Sequence, residues 1–197
     1  MQTTIYLIRH GEVHNPEGII YGRLLGYGLS EKGKREVEKT AEFLTDQHID
    51  ALYASPLERA RQSAEIIQNK LNLPEVYITE KIIEMLTSYQ GSKFSDLDML
   101  QSEVYLKPLN PTDETIEQLA NRMLEFVQEM IKNHPGEHIA VVSHGDPIMA
   151  LKATIKYNSF EFYRFKTDQY IQHAEVYEIT AVDQNNLSIK SVFRPEI

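Results

Sequence analysis

The chain has 197 residues, 42% of them apolar and 25% charged, the balance of a globular domain rather than a disordered or fibrous one. It contains no cysteine, which excludes disulfides, thiolate nucleophiles and thiolate metal sites and fits a reducing, cytoplasmic setting. With 29 acidic against 20 basic side chains, a net charge of −9 argues against nucleic acid or an anionic membrane as partner. This length is read as one domain over residues 1–197, with room for a substantial core. A strand under way by residue 4 is expected to leave no place for a leader peptide, and no apolar run reaches membrane-spanning length.

In chain order, Thr4-Ile5-Tyr6-Leu7-Ile8 predicts a buried strand over about residues 4–9. A loop rich in Gly, Asn and Pro follows through Gly28. A helix is expected from near Ser30, with Val37, Ala41 and Leu44 recurring on one face. Ala51-Leu52-Tyr53-Ala54 reads as a second, short buried strand. Ser55 as N-cap, Pro56 as first helical residue and Glu58 closing a capping box then predict a helix start. Its inward face carries Ala60, Ala64, Ile67 and Leu71, and Glu75–Ile78 reads as a third strand.

Residues 80–112 interrupt the alternation, with Ser, Gly, Asp, two prolines and a short helix expected over Ser95–Val104. They read as a cap-like excursion over the sheet edge, too short to stand as a domain. A long helix is predicted from about Asp113 to Asn133, its stripe formed by Ile116, Leu119, Ala120, Met123, Val127, Met130 and Ile131. Pro135-Gly136 stops it. His138–Ser143 is another buried strand, followed by a helix near Pro147–Ile155. Ala174–Ile179 and Leu187–Phe193 read as a hairpin turning at residues 183–186. Strands alternating with helices specify an α/β protein, a three-layer α/β/α sandwich around a mostly parallel sheet.

Two of the apolar strands end in a His-Gly step: Arg9-His10-Gly11 and Ser143-His144-Gly145. In an open parallel sheet, ligands bind in the crevice beyond the carboxyl ends of the strands. A neutral imidazole there is a competent nucleophile toward phosphorus, which makes His10 the leading candidate. Gly11 allows a sharp turn and close approach to a bound group, and Arg9 offers a planar fork to phosphate oxygens. Arg59 falls in a first helical turn, where a cation is disfavoured unless an anion lies in front of it. A salt bridge from Arg59 to Glu58 or Asp50 is the competing reading, and Arg61 is read as solvent-facing. His144 reads either as a charged phosphate donor or as a buried histidine satisfied by backbone, and Asp146 as the cap of the next helix. No His/Asp/Glu group has metal-ligand spacing along the chain, so no metal is expected.

Taken together these residues resemble the histidine phosphatase superfamily, also called the phosphoglycerate mutase-like family. The matching motifs are Arg9-His10-Gly11-Glu12, Gly22-Arg23, Leu29-Ser30-Glu31-Lys32-Gly33, the run Ser55-Pro56-Leu57-Glu58-Arg59-Ala60-Arg61-Gln62-Ser63-Ala64, and Val142-Ser143-His144-Gly145, in the family's order. Val13 stands where the family commonly has Thr. The resemblance implies a phosphoglycerate mutase-like fold with His10 as the phosphorylated nucleophile and Arg9, Arg59 and His144 around the phosphate. It implies a proton donor from the segment after the third strand. Glu84, ahead of Tyr89-Gln90-Gly91, matches best, with Glu12 and Glu80 as fallbacks. Gly11, Asn15, Arg23 and Gly145 are expected to contact the phosphate or the rest of the substrate; His14 and His173 are read as exposed or structural, with lining of the outer pocket as the alternative. The expected activity is metal-independent, cofactor-free hydrolysis of a phosphomonoester, on a small phosphorylated metabolite or a phosphoprotein. The alternatives are a mutase of the same family and a catalytically weak phospholigand-binding protein.

Overall fold

A computed structural model of the chain describes residues 2–97, 108–159, 170–183 and 186–197. Six strands form one sheet: β1 (Thr3–Arg9), β2 (Ala51–Ala54), β3 (Tyr77–Ile78), β4 (His138–Ser143), β5 (Val176–Asp183) and β6 (Asn186–Phe193). Their spatial order is β3-β2-β4-β1-β5-β6. The β3-β2-β4-β1 portion is parallel, and the β5–β6 hairpin adds to β1 antiparallel. Among the described residues, four helices of three turns or more cover the faces: α1 (Glu31–Thr45), α2 (Glu58–Leu71), α3 (Ile116–Asn133) and α4 (Gly145–Tyr157).

The central strands are apolar throughout because both of their faces are covered. Side chains alternate between the two faces. Tyr6, Ile8, Leu52, Ala54, Ala140 and Val142 pack with the inner residues of α1 and α2, including Val37, Leu44, Ala60 and Ile67. Ile5, Leu7, Ile139, Val141, Tyr177 and Ile179 pack with Leu119, Met123, Phe126 and Val127 of α3 and with Ile148 and Leu151 of α4. This is the expected three-layer arrangement, a mixed sheet between two helical layers.

Register matters more for the site than shape. Arg9 pairs with Ser143 across β1 and β4, and Ala54 pairs with Val142 across β2 and β4. One residue further, the ladder continues into the loops: His10 N–H donates to the Ser143 carbonyl at 3.1 Å, and Ser55 N–H to the Val142 carbonyl at 3.0 Å. His10, His144 and Ser55 therefore leave three adjacent strands at one edge.

Several local expectations are corrected. Helix α2 starts at Glu58, with Leu57 as N-cap and no side-chain cap bond, rather than at Pro56 behind a Ser55 cap and a Glu58 capping box. The Ser55 hydroxyl is engaged by His144 instead, a partner from another strand that local pattern does not reveal. Helix α4 begins at Gly145, with His144 rather than Asp146 in the cap position. Helix α3 begins at Ile116, behind a Thr115–Gln118 capping box. Strand β3 has only two residues, both exposed at the sheet edge. Of the helix expected over Ser95–Val104, a short 3-10 turn, Phe94–Leu97, is described, and the rest lies outside the described residues.

The loop leaving β1 is seated by two glycines. A Cβ on Gly11 would collide with the Gly33 carbonyl, and a Cβ on Gly33 would collide with the Glu12 backbone. Gly33 sits in the first turn of α1, where its N–H donates to the N-cap Ser30 hydroxyl at 3.0 Å. Backbone thus packs on backbone directly beside His10, and neither partner is a movable side chain. Gly33→Ala is expected to destabilise the protein by about 1–3 kcal/mol through this overpacking. A thermal or denaturant unfolding curve indistinguishable from that of the parent chain would show that the loop yields freely.

Candidate active site

His10 is 1% exposed, and its two ring nitrogens have partners of opposite kind. Nδ1 lies 2.8 Å from the Gly11 carbonyl, which can only accept, so Nδ1 carries the proton. Nε2 lies 3.1 Å from Nε of Arg59, which can only donate, so Nε2 bears the lone pair. Burial, then the Arg59 charge, hold the His10 pKa well below the usual imidazole range, with His144 and Arg9 adding to the effect. The ring is therefore neutral, with its nucleophilic nitrogen against a guanidinium.

Arg59 is also 1% exposed and occupies the first turn of α2. Its Nη2 donates to the Gly22 carbonyl at 2.8 Å, and its Cζ lies 4.6 Å from the Tyr21 ring centroid. Gly22 adopts φ +43°, which turns its carbonyl toward Arg59 in a conformation that favours glycine. The guanidinium thus meets His10, Gly22 and Tyr21 rather than Glu58 or Asp50. Arg61, two residues on, is exposed as expected.

His144 is fully buried, its ring centroid 5.2 Å from that of His10. Nε2 is 2.7 Å from the Ser55 hydroxyl, and Nδ1 has no hydrogen-bond partner among the described residues. Burial, followed by Arg59 and Arg9, holds His144 well below the usual range. That direction favours the neutral ring, the buried-histidine side of the two sequence readings, with a Ser55 side chain rather than backbone as its partner. Arg9 donates through Nη1 to the Ile171 carbonyl at 2.8 Å, while its buried Nε also lacks a partner among the described residues. Buried polar groups are ordinarily paired, so these two nitrogens on neighbouring strand ends are exceptions.

The carboxyl of Glu84 faces the same cluster. Its Oε1 accepts the Met85 N–H at 2.8 Å. Part of the residue remains open, yet burial of the carboxyl pushes its pKa up to about 8, with the Asp146 charge adding to the rise and Arg59 and Arg9 opposing it. Glu12, by contrast, is pulled below its ordinary value by a hydrogen bond from Lys32, and its carboxylate also accepts from Ser30. Glu80 is exposed at the start of a 3-10 turn.

The remaining residues expected to contact substrate have partners within the fold. Asn15 closes its own loop, accepting from the Ile19 N–H and donating to the Ile19 carbonyl. Gly11 makes room for α1 and donates its N–H to Ser63 Oγ at 3.2 Å. Gly145 makes room for the Tyr170 hydroxyl, which donates to Asp146 at 2.6 Å. Arg23 donates to the Glu84 carbonyl and to Glu114. Val13 is buried and bridges to Leu29, a packing position. His14 is exposed, whereas the His173 ring lies 5.9 Å from that of His10, its pKa lowered to about 3 mainly by burial.

Sequence reading missed Tyr21 and gave Ser55 the wrong task, since neither partner is local. It also expected no metal-ligand group. Glu12, Glu36 and His173, from separate segments, bring one ligand atom each within 4.8 Å of one another. The Lys32 ammonium already lies 2.8 Å from Glu12 and 3.6 Å from Glu36 and offsets their charge.

Over residues 5–191 the chain matches the family model of the histidine phosphatase superfamily, branch 1. Phosphoserine phosphatase 1 of Hydrogenobacter thermophilus is 33% identical over 156 residues, covering 75% of this chain and 73% of that protein. Among solved structures, YhfR of Bacillus stearothermophilus has a TM-score of 0.82 at 25% identity, covering 96% of both chains. A mycobacterial glucosyl-3-phosphoglycerate phosphatase shares the fold at a TM-score of 0.81 and 20% identity, covering 97% of both chains. The strand-end histidines thus sit in a chain that matches the family almost from end to end, and this protein belongs to branch 1 of the histidine phosphatase superfamily.

Proposed function

We propose that this chain is a phosphomonoester hydrolase that works through a phosphohistidine at Nε2 of His10 and needs no metal. The observation that carries the reading is the pair of partners on His10. A carbonyl on Nδ1 and a guanidinium on Nε2 leave a neutral ring whose lone pair faces the cationic cluster. The match to phosphatases by name supports hydrolysis, and the names phosphoserine phosphatase and glucosyl-3-phosphoglycerate phosphatase support a small phosphorylated metabolite as substrate.

The chemistry follows from the positions. A phosphate entering the cluster draws the Arg59 Nε–H away from His10, which frees the lone pair and offsets charge on the phosphoryl oxygens. Nε2 attacks phosphorus as the ester P–O bond breaks. Protonated Glu84 gives its proton to the departing alkoxide. Water then attacks the phosphohistidine, Glu84 takes a proton from it, the P–N bond breaks, and inorganic phosphate leaves. Arg9 and His144 hold the transferring group through nitrogens that lack partners among the described residues. In the neutral His144 ring, a Ser55 hydroxyl donating to Nε2 leaves an Nδ1–H for a phosphoryl oxygen. Two guanidiniums and two oriented imidazoles supply the charge compensation, which makes the reaction a matter of positioning and electrostatics.

Incubation with a phosphoryl donor such as phosphoserine is expected to give an acid-labile, alkali-stable phosphoenzyme. In His10→Ala the adduct is absent and turnover falls by at least about a thousandfold. Full adduct formation in that variant would move the nucleophile elsewhere. Hydrolysis is expected to continue undiminished after treatment with a chelator.

The acid–base assignment predicts a pH profile. Glu84 must be protonated to act, so kcat/KM for an alkyl phosphate falls as pH rises through about 8. His10 must be neutral, so the acid limb lies below the usual imidazole range. Glu84→Gln is expected to remove the alkaline limb and to lower alkyl phosphate turnover by about 10²–10⁴. Its effect on p-nitrophenyl phosphate, whose leaving group needs little protonation, is much smaller. Persistence of the alkaline limb in Glu84→Gln would assign the proton to another group.

A further inference from the structure

Glu84 belongs to no strand and no helix, so its carboxyl is only as well placed as the tethers of its segment. One tether comes from β4, where Ser143 Oγ donates to the Ile82 carbonyl at 2.7 Å. The others converge on Glu114, just ahead of the Thr115 cap of α3. Leu86 N–H donates to Glu114 Oε2 at 3.2 Å, and Glu114 N–H donates back to the Leu86 carbonyl at 2.9 Å. Arg23 donates through Nε to the carbonyl of Glu84 itself at 2.7 Å and through Nη2 to Glu114 Oε2 at 3.2 Å. Arg122 closes the group with a fork onto Glu114, Nε and Nη2 each at 2.9 Å, and with Nη1 on the Lys81 carbonyl at 2.7 Å. The Glu114 side chain is 13% exposed and lies between two guanidiniums. A bidentate Arg–carboxylate pair in this setting is geometrically exacting, unlike a loose surface ion pair.

We infer that Glu114 is a positioning residue for the proton donor: it holds the backbone after Glu84 directly at Leu86 and the backbone before it through Arg122 at Lys81, and it offsets part of the charge of the Arg23–Arg122 pair beside it. The inference rests on the reading of Glu84 as that donor. Without the Glu114 charge, two cations would stand uncompensated next to the segment.

The charged and titratable groups facing Glu84 come from several elements. Asp146 of α4 favours its protonated form, and Arg59 of α2 and Arg9 of β1 favour the ionised form. Arg23 and Tyr21 of the Asn15–Gly28 loop also feel the Glu84 charge. Loss of the Glu114 charge adds net positive potential to this set, so Glu84 releases its proton more readily and the alkaline limb moves to lower pH. Loss of the Arg122 charge does the reverse.

The test compares Glu114→Gln, Arg122→Gln and Glu84→Gln in the full chain, with each variant checked for folding by circular dichroism. It measures kcat against pH and the ratio of kcat on an alkyl phosphate to kcat on p-nitrophenyl phosphate. In Glu114→Gln the alkaline limb is expected about half a pH unit lower. The same variant loses about tenfold on the alkyl ester and markedly less on the aryl ester. In Arg122→Gln the limb moves upward, and this variant decides the matter if Glu114→Gln does not fold. An unshifted limb, or equal loss on both esters, overturns the inference while the expected Glu84→Gln result leaves the donor reading standing. A Glu84→Gln enzyme that behaves like the parent overturns both.

Discussion

A single contact sets the chemistry of the cleft: Nε of Arg59 donating to Nε2 of His10 across 3.1 Å. Because a guanidinium has no acceptor, this contact decides where the imidazole proton is without any hydrogen being seen. It forces the proton onto Nδ1, where the Gly11 carbonyl is waiting at 2.8 Å. Holding Arg59 there is unfavourable twice over, since a buried guanidinium is desolvated and a helix N-terminus repels positive charge. The Gly22 carbonyl and the Tyr21 face offset part of that cost. What remains is a set of donors held close to the imidazole by the fold itself.

The sheet makes this contact possible. Parallel strands in register end at one level, so the first residues beyond β1, β4 and β2 emerge side by side. Much of this was legible in the sequence, because strands buried on both faces leave continuous apolar runs and the long helices leave 3.6-residue stripes. The His-Gly steps at the ends of two such runs mark the strand ends where His10 and His144 meet. What stayed illegible was every feature decided by a partner distant in sequence. Ser55 has the pattern of a helix cap, yet its hydroxyl meets His144 from a strand 89 residues away. Arg23 and Asn15 have the look of substrate ligands in a Gly-rich loop, yet one is held by Glu84 and Glu114 and the other folds back on Ile19. Gly11 and Gly145 follow the two histidines in sequence, but their close packing on the Gly33 backbone and on Tyr170 is decided by distant segments.

The charge of the molecule looks paradoxical until it is taken locally. A chain with a net charge of −9 gathers Arg9 and Arg59 at one strand edge and keeps both nearby imidazoles neutral. Neutral rings matter, because a protonated His10 would have no lone pair to offer. The surrounding acids are not spread at random over the cleft. Glu12 and Glu36 share Lys32, and Glu114 is shared by Arg23 and Arg122. Arg9 and Arg59 make no ion pair with a carboxylate among the described residues, so their positive potential stays at the strand ends.

The same partition explains why three glutamates that look alike in sequence are not alike in the fold. Glu12 has an ammonium and a hydroxyl on its carboxylate, interactions made to the charged form, so it stays ionised and cannot give up a proton it does not hold. Glu80 is exposed at the edge and outside this cluster. Glu84 is pressed into protein with Asp146 nearby, and both effects favour the protonated form against the pull of Arg59 and Arg9. Environment rather than residue type separates them. That environment is assembled from β1, the Asn15–Gly28 loop, α2, α4 and the start of α3, segments that meet only when the sheet closes. A proton donor chosen by spacing alone rests on one line of argument; the burial and neighbours of Glu84 supply a second, independent one.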